Sequence, residues 1–162
     1  MNEDQFDSNK SYPLIRELVP HRDPMVLLDK VLSADEQCLC AEVLIHEDSL
    51  FYQAGGVGAW VGIEYMAQAI AAHAGYLAQA KGEEIKVGFL LGARRYEATV
   101  DQFVGGQRLL VFVECSLQSD NGLGAFECRI ADADRPEANL AKATITVFQP
   151  PDAESFLLGN SE

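Results

Sequence analysis

The feature that most constrains this chain is the 23-residue, mostly apolar run from Gly58 to Ala80, interrupted by Glu64, Gln68 and His73, with Gln79 next to its end. Its length and its richness in Ala predict a helix from about Ala59 to Lys81, stopped near Gly82. A surface built from Trp60, Ile63, Met66, Ala67 and Ile70 offers water little to wet, so the helix must be buried on most sides. A carboxylate there, Glu64, loses hydration unless it is paired, hydrogen-bonded or used in chemistry; otherwise it reaches solvent or caps a neighbour. Gly55, Gly56 and Gly58 let the backbone approach something just ahead of the helix. Free N–H groups and the positive end of the helix dipole lie there, which suits a carbonyl oxygen gaining negative charge. A charge near the middle of the run would be costly in lipid, so the run reads as a core helix and not a membrane span.

With 162 residues and 48% hydrophobic content, the chain can bury one core, and a single domain follows. The formal charge of −13 argues against nucleic acid as a partner. It leaves room for an acidic carrier protein docking on a local basic patch, for which Lys86, Arg94, Arg95 and Arg108 are the candidates. Cys38, Cys40, Cys115 and Cys128 form no CxxC pair and lie in alternating apolar segments, as thiols buried in a reducing cytoplasm would. The acidic start, Met1-Asn-Glu-Asp-Gln-Phe-Asp7, has no apolar core of a signal peptide.

Residues 1–11 read as a loose polar terminus, 12–149 as the domain and 150–162 as a polar tail with one apolar knot, Phe156-Leu157-Leu158. A short helix is expected at Tyr12–Leu18, stopped by Pro20. Met25–Leu32 reads as a strand. In Cys38–His46 the residues Leu39, Ala41, Val43 and Ile45 alternate with Cys38, Cys40, Glu42, Leu44 and His46, the period of a strand. Four more strand-like runs follow the helix: Ile85–Val100, Arg108–Gln118, Leu123–Asp132 and Leu140–Phe148, with Ser119-Asp-Asn-Gly122 as a turn between the second and third. One long helix and five or six strands, most of them after it, give an α+β domain in which an antiparallel sheet wraps around the helix, the hot-dog arrangement. One sheet covers only part of the helix, so a second copy or a homologous partner should close the open side.

The string Leu18-Val-Pro-His21-Arg22-Asp-Pro24-Met-Val-Leu-Leu-Asp29-Lys-Val31 resembles the N-terminal signature of FabZ-type 3-hydroxyacyl-[acyl-carrier-protein] dehydratases, Leu-x-Pro-His-Arg-x-Pro-x-x-Leu-x-Asp-x-Val. Glu64-Tyr-Met-Ala-Gln68 resembles the Glu-Ala-x-Ala-Gln of that family's central helix. Gly88-Phe89-Leu-Leu-Gly-Ala-Arg94-Arg-Tyr96 sits where the family has its next strand, and Val104-Gly-Gly-Gln107 where it turns. The order is kept over residues 12–149. Pro-His-Arg-x-Pro-Met and the Trp before the Glu are most similar to the ApeP-type dehydratases of aryl polyene lipid biosynthesis.

The resemblance implies removal of water from a 3-hydroxyacyl thioester to leave a trans-2-enoyl thioester. It implies acyl carrier protein with its phosphopantetheine arm as partner, a homodimer or hot-dog heterodimer, and no metal or organic cofactor. One departure falls on the chemistry. The family's catalytic histidine, in His-Phe-Pro-Gly fourteen residues before the helix glutamate, is Leu50 here, followed by Phe51-Tyr-Gln-Ala54. Another residue replaces it, the reaction differs, or the chain is inactive.

Of three histidines, His73 lies nine residues beyond Glu64, turned roughly 180° away and about 13 Å along the axis, which suits a packed or dimer-facing ring. His46 ends a strand and reads as structural or solvent-facing. His21 can reach the helix start by tertiary contact, and an imidazole titrating near pH 6.5 suits proton transfer; the alternative is a ring that fixes the loop between Pro20 and Pro24. His21 is therefore the candidate base and Glu64 the candidate acid, with Gln68 one turn on to hold Glu64 or the substrate. By its match to the glycine before the family's helix, Ala59, with Gly58, is the expected oxyanion donor. Phe89, Leu90 and Tyr96 are expected to line the acyl tunnel, with its entrance near Arg94. Two other functions keep the same fold: a hot-dog thioesterase in which Glu64 activates water, and a non-catalytic subunit lending its surface to an active partner.

Overall fold

The computed structural model describes residues 9–86 and 88–150. Residues 1–8 of the loose terminus expected over 1–11, and the knot at Phe156–Leu158, lie outside the described residues. A short helix α1 (Ile15–Leu18) precedes strands β1 (Lys30–Ala34) and β2 (Cys38–Leu44). The pieces β3 (Tyr52–Gln53) and β4 (Gly56–Gly58) follow, then a 3-10 turn (Ala59–Val61) that leads into the long helix α2 (Gly62–Ala80). Strands β5 (Phe89–Ala98), β6 (Gln102–Val104), β7 (Arg108–Gln118), β8 (Leu123–Asp132) and β9 (Arg135–Phe148) complete the domain.

Six strands form one antiparallel sheet in the order β1-β2-β7-β8-β9-β5, and β3, β4 and β6 form a small second sheet. The large sheet curls around α2, which is the expected hot-dog fold. Its inner face comes from the predicted alternation: Leu39, Ala41 and Val43 of β2, Leu109, Val111 and Val113 of β7, Phe126 and Ile130 of β8, and Ala141, Ala143 and Ile145 of β9. These pack against Tyr65, Met66, Ala69, Ile70 and Ala72 of the helix. The central strand β7 is buried on both faces, because Leu110 and Phe112 join Cys40, Ala131 and Ala133 in a smaller cluster on the outer face. Gly75 marks the tightest helix contact: a Cβ there would collide with the Leu18 carbonyl oxygen at the end of α1.

Several boundaries differ from expectation, each for a physical reason. The first helix begins at Ile15 and not Tyr12, because Pro13 disfavours helical geometry in the residue before it. The strand expected from Met25 begins at Lys30: the Met25 carbonyl and Leu27 N–H bond the Gln68 side chain at 2.6 and 2.9 Å, so these groups are not used in a sheet ladder. The small sheet was not foreseen, since its strands are two or three residues long. Gly56 permits it, as a Cβ there would strike the Phe103 carbonyl of β6. All four cysteines are free. Burial pushes the Cys40 thiol up to about 12, which keeps it protonated and inert. No helix among the described residues is long and apolar enough to cross a membrane.

Candidate active site

The site forms where the Pro20–Leu28 segment crosses the first turns of α2. Gln68, fully buried, anchors the crossing: its amide oxygen accepts from Leu27 N–H, and its nitrogen donates to Met25 O and, at 3.0 Å, to Glu64 Oε1. One side chain thus fixes both the loop that carries His21 and the carboxylate one helical turn away. As a result His21 Nε2 lies 3.7 Å from Glu64 Oε1, with the two side chains 30% and 37% exposed. His21 Nδ1 is buried and has no hydrogen-bond partner among the described residues.

His21 and Glu64 form one end of a cavity of about 190 Å³. From them it runs along Ala67, Ile70, Ala71 and Ala74 of α2, with Phe89 and Leu90 of β5, Gly122, Gly124 and Phe126 of the β7–β8 hairpin, and Val147 on the other side. The half-buried residues Glu64, Ala67, Ala71, Ala74 and Ala78 recur every three or four positions, so they mark the side of the helix that the sheet leaves uncovered. The spacing of these alanines was the available signal for the helix wall. The opposite wall, from the far end of the chain, had none.

Of the expected site residues, His21, Glu64, Phe89 and Leu90 come together in this cavity, and Gln68 holds Glu64 from behind it. Arg94 and Tyr96 do not line it. Arg94 lies exposed on β5 opposite Thr144, so the expected entrance beside it is corrected. Tyr96 follows Arg95, whose φ of 56° accompanies an irregularity in the β5–β9 ladder, and turns inward. Its hydroxyl donates to the Ala59 carbonyl and occupies the space that a side chain on Gly62 would need. Burial pushes that phenol up to about 12, and Tyr96 pins the start of the helix instead of lining an acyl path.

The expectation for Ala59 and Gly58 is also corrected. The Ala59 N–H donates to the Asp101 carbonyl at 2.9 Å, and Gly58 stands opposite Gln102 in the β4–β6 ladder. Neither residue lines the cavity. The run of short strands before the helix ties up the backbone that the resemblance leaves free.

The other histidines separate from the site. His46 is exposed and accepts from Asp48 N–H at 3.2 Å in the turn after β2. His73 is 3% exposed, bonds the Asp35 carbonyl through Nε2 at 2.9 Å and meets Phe126 edge to face. Burial holds its imidazole below the usual range. Leu50, at the position of the family's histidine, lines a different cavity with Asp29, Val43, His46 and Tyr65. Arg108, offered for a carrier-binding patch, bonds buried Glu42 at 2.5 Å on the outer face.

The family model described as ApeP dehydratase, ApeP-like, matches residues 13–158. No curated protein matches. Among solved structures, one chain of the dehydratase heterocomplex ApeI:P from Xenorhabdus doucetiae is 28% identical with a TM-score of 0.83, covering 93% of this chain and 99% of that one. Zebra fish thioesterase superfamily member 2 is 13% identical at a TM-score of 0.63, with 84% and 92% covered. A hypothetical thioesterase with coenzyme A from Streptococcus pneumoniae TIGR4 is 15% identical at 0.58, with 74% and 84% covered. The two thioesterases share the fold.

Proposed function

This chain belongs to the ApeP-like dehydratase family, and from that premise we propose that it removes water from 3-hydroxyacyl thioesters presented by acyl carrier protein in the cytoplasm, leaving trans-2-enoyl thioesters. The observation that carries this reading is the 3.7 Å approach of His21 Nε2 to Glu64 Oε1 at one end of a mainly apolar cavity. Elimination needs a base at C2 and an acid at the C3 hydroxyl, one carbon apart, and two groups this close can address both. His21 Nε2 takes the C2 proton, the C2 electron pair forms the double bond, and the C3–oxygen bond breaks as protonated Glu64 delivers its proton to the leaving hydroxyl. Water departs. The imidazolium then returns its proton to the Glu64 carboxylate across the same gap, so the pair resets itself. Gln68 keeps Glu64 directed at the cavity throughout.

Carrier protein is the proposed donor of the substrate because its acidic surface suits exposed basic groups on this chain, Arg22 next to His21, and Arg94 and Arg95 on β5. The partner in assembly is proposed to be a second hot-dog chain, as the similarity to a chain of a dehydratase heterocomplex supports. Incubating the protein with 3-hydroxyacyl carrier protein, alone and with a neighbouring hot-dog protein, and weighing the intact carrier tests the reaction. Loss of one water supports dehydration, and loss of the acyl group identifies a thioesterase.

A second reading rests on Leu50: the chain is a subunit whose partner holds the working acid and base. Within one chain Leu50 and Glu64 line separate cavities, so a histidine at position 50 would not serve its own Glu64. In that case Glu64→Gln leaves the turnover of the complex unchanged, whereas the first reading expects a loss of about a hundredfold or more.

A further inference from the structure

We propose that the cavity at His21 and Glu64 continues into a second cavity along α2, and that Gln149 and Lys86, closing against Phe126 between the two, set how long an acyl chain the site accepts. This rests on the reading above in taking an acyl thioester as the occupant. The second cavity, of about 400 Å³, has His73, Leu77, Ala78 and Cys115 on one side and the polar residues Glu36, Gln37, Lys81, Glu83 and Glu84 on its other walls, and it shares with the first the residues Ala74, Lys86, Gln118, Phe126 and Gln149. Shared walls place the two end to end along one helix.

The boundary has a fixed side and a yielding one. Phe126 is 5% exposed, belongs to the main core and packs against buried His73. Across from it, Gln149 Nε2 donates to the Lys86 carbonyl at 3.2 Å, which ties the end of β9 to the segment before β5. A single neutral hydrogen bond near the surface is worth little net, so this strap can part while Phe126 stays. From Glu64 to Ala74 is ten residues, about 15 Å of helix, and to Ala78 about 21 Å. At about 1.25 Å of advance per carbon–carbon bond, an extended chain of about twelve carbons fills the first length. Ala67, Ala71 and Ala74 on one side, with Gly122 and Gly124 on the other, leave a width that suits an unbranched chain. A longer chain has to displace Gln149.

The test uses pantetheine amides, in which nitrogen replaces the thioester sulfur, with saturated chains of about four to about sixteen carbons to span both marks. Binding to the full chain, assembled with its hot-dog partner where one is required, is measured by calorimetry. Affinity should rise about fourfold per methylene up to the boundary and then flatten. In Gln149→Ala the break should move to longer chains; in Ala74→Leu it should move to shorter ones, lowering the long-to-short affinity ratio tenfold or more. An affinity independent of length, or a break that stays put in Gln149→Ala, overturns the inference, and Gln149→Ala suffices if Ala74→Leu does not fold. A break that moves as expected, with no dehydration of any matching 3-hydroxyacyl thioester, upholds the path and removes the dehydratase reading. Dehydration without any break does the reverse.

Discussion

At the scale of single residues, the proposed chemistry turns on a histidine with one unpaired nitrogen. For Nε2 to accept the C2 proton, the neutral ring must carry its hydrogen on Nδ1, which is buried with no partner among the described residues. An unsatisfied N–H costs about 1–3 kcal/mol of stability, and a positioned general base is worth about 10²–10⁴ in rate, so the proposed base role gives a reason for a ring placement that stability alone disfavours. His21→Ala and His21→Gln should therefore both lower kcat by about a hundredfold or more, since glutamine keeps the bulk but cannot take a proton. A His21→Gln protein with near-normal turnover of 3-hydroxyacyl carrier protein would remove His21 from the reaction. Combined with Glu64→Gln, the loss should be less than the product of the single losses. Gln68 makes a separate prediction: Gln68→Leu strands the Met25 carbonyl and Leu27 N–H and should cost about 2–4 kcal/mol in urea unfolding. The pair was legible because Glu64 stood out in an apolar run and Pro-His-Arg matched a known signature. The Ala59 donor failed because hydrogen bonds between distant segments, such as Ala59 to Asp101, leave no mark in local sequence.

At the scale of elements, α2 is held more by contact than by propensity. Gly75→Ala should raise helix propensity by about 1 kcal/mol, yet the added methyl meets the Leu18 carbonyl of α1, and overpacking costs about 1–3 kcal/mol. The net expectation is a lower Tm by thermal melting, and an unchanged or higher Tm would show that α1 yields freely. His73 gives the helix a pH dependence. Its folded pKa is lowered by burial, so the native state binds the proton more weakly than the unfolded chain. Stability is then full above about pH 6.5 and declines as pH falls below that value toward the native pKa. Melting between about pH 7 and 5 should accordingly show a flatter slope in His73→Gln than in the parent protein. The helix and long strands were readable because each has a period that burial enforces over seven or more residues. What escaped was made of pieces too short to have a period, β3, β4 and β6, or of backbone claimed by a side chain forty residues away, as at Met25–Leu27.

At the scale of the whole molecule, the sheet has two edges, β1 and β5, and they differ. β5 is ten residues long and carries Leu90 and Leu91 at 47% and 59% exposure, beside the cavity that Leu90 helps to line. A long strand edge with exposed leucines invites pairing with another chain. His21 and Glu64, each about a third exposed, lie at the same cavity and would be drier once it is covered. Assembly and catalysis are therefore expected to be coupled through β5. In sedimentation, the protein should run as a dimer or join a hot-dog partner at micromolar concentration. Leu91→Lys should shift it to monomer while the circular dichroism of the fold persists, because a charge on that edge opposes pairing without entering the core. Dehydration by the complex should fall with the assembled fraction and return at high protein concentration, since mass action restores what the charge weakens. A Leu91→Lys protein that assembles as tightly as the parent would place the interface elsewhere. A stable parent monomer with full activity would show that one chain covers its own site.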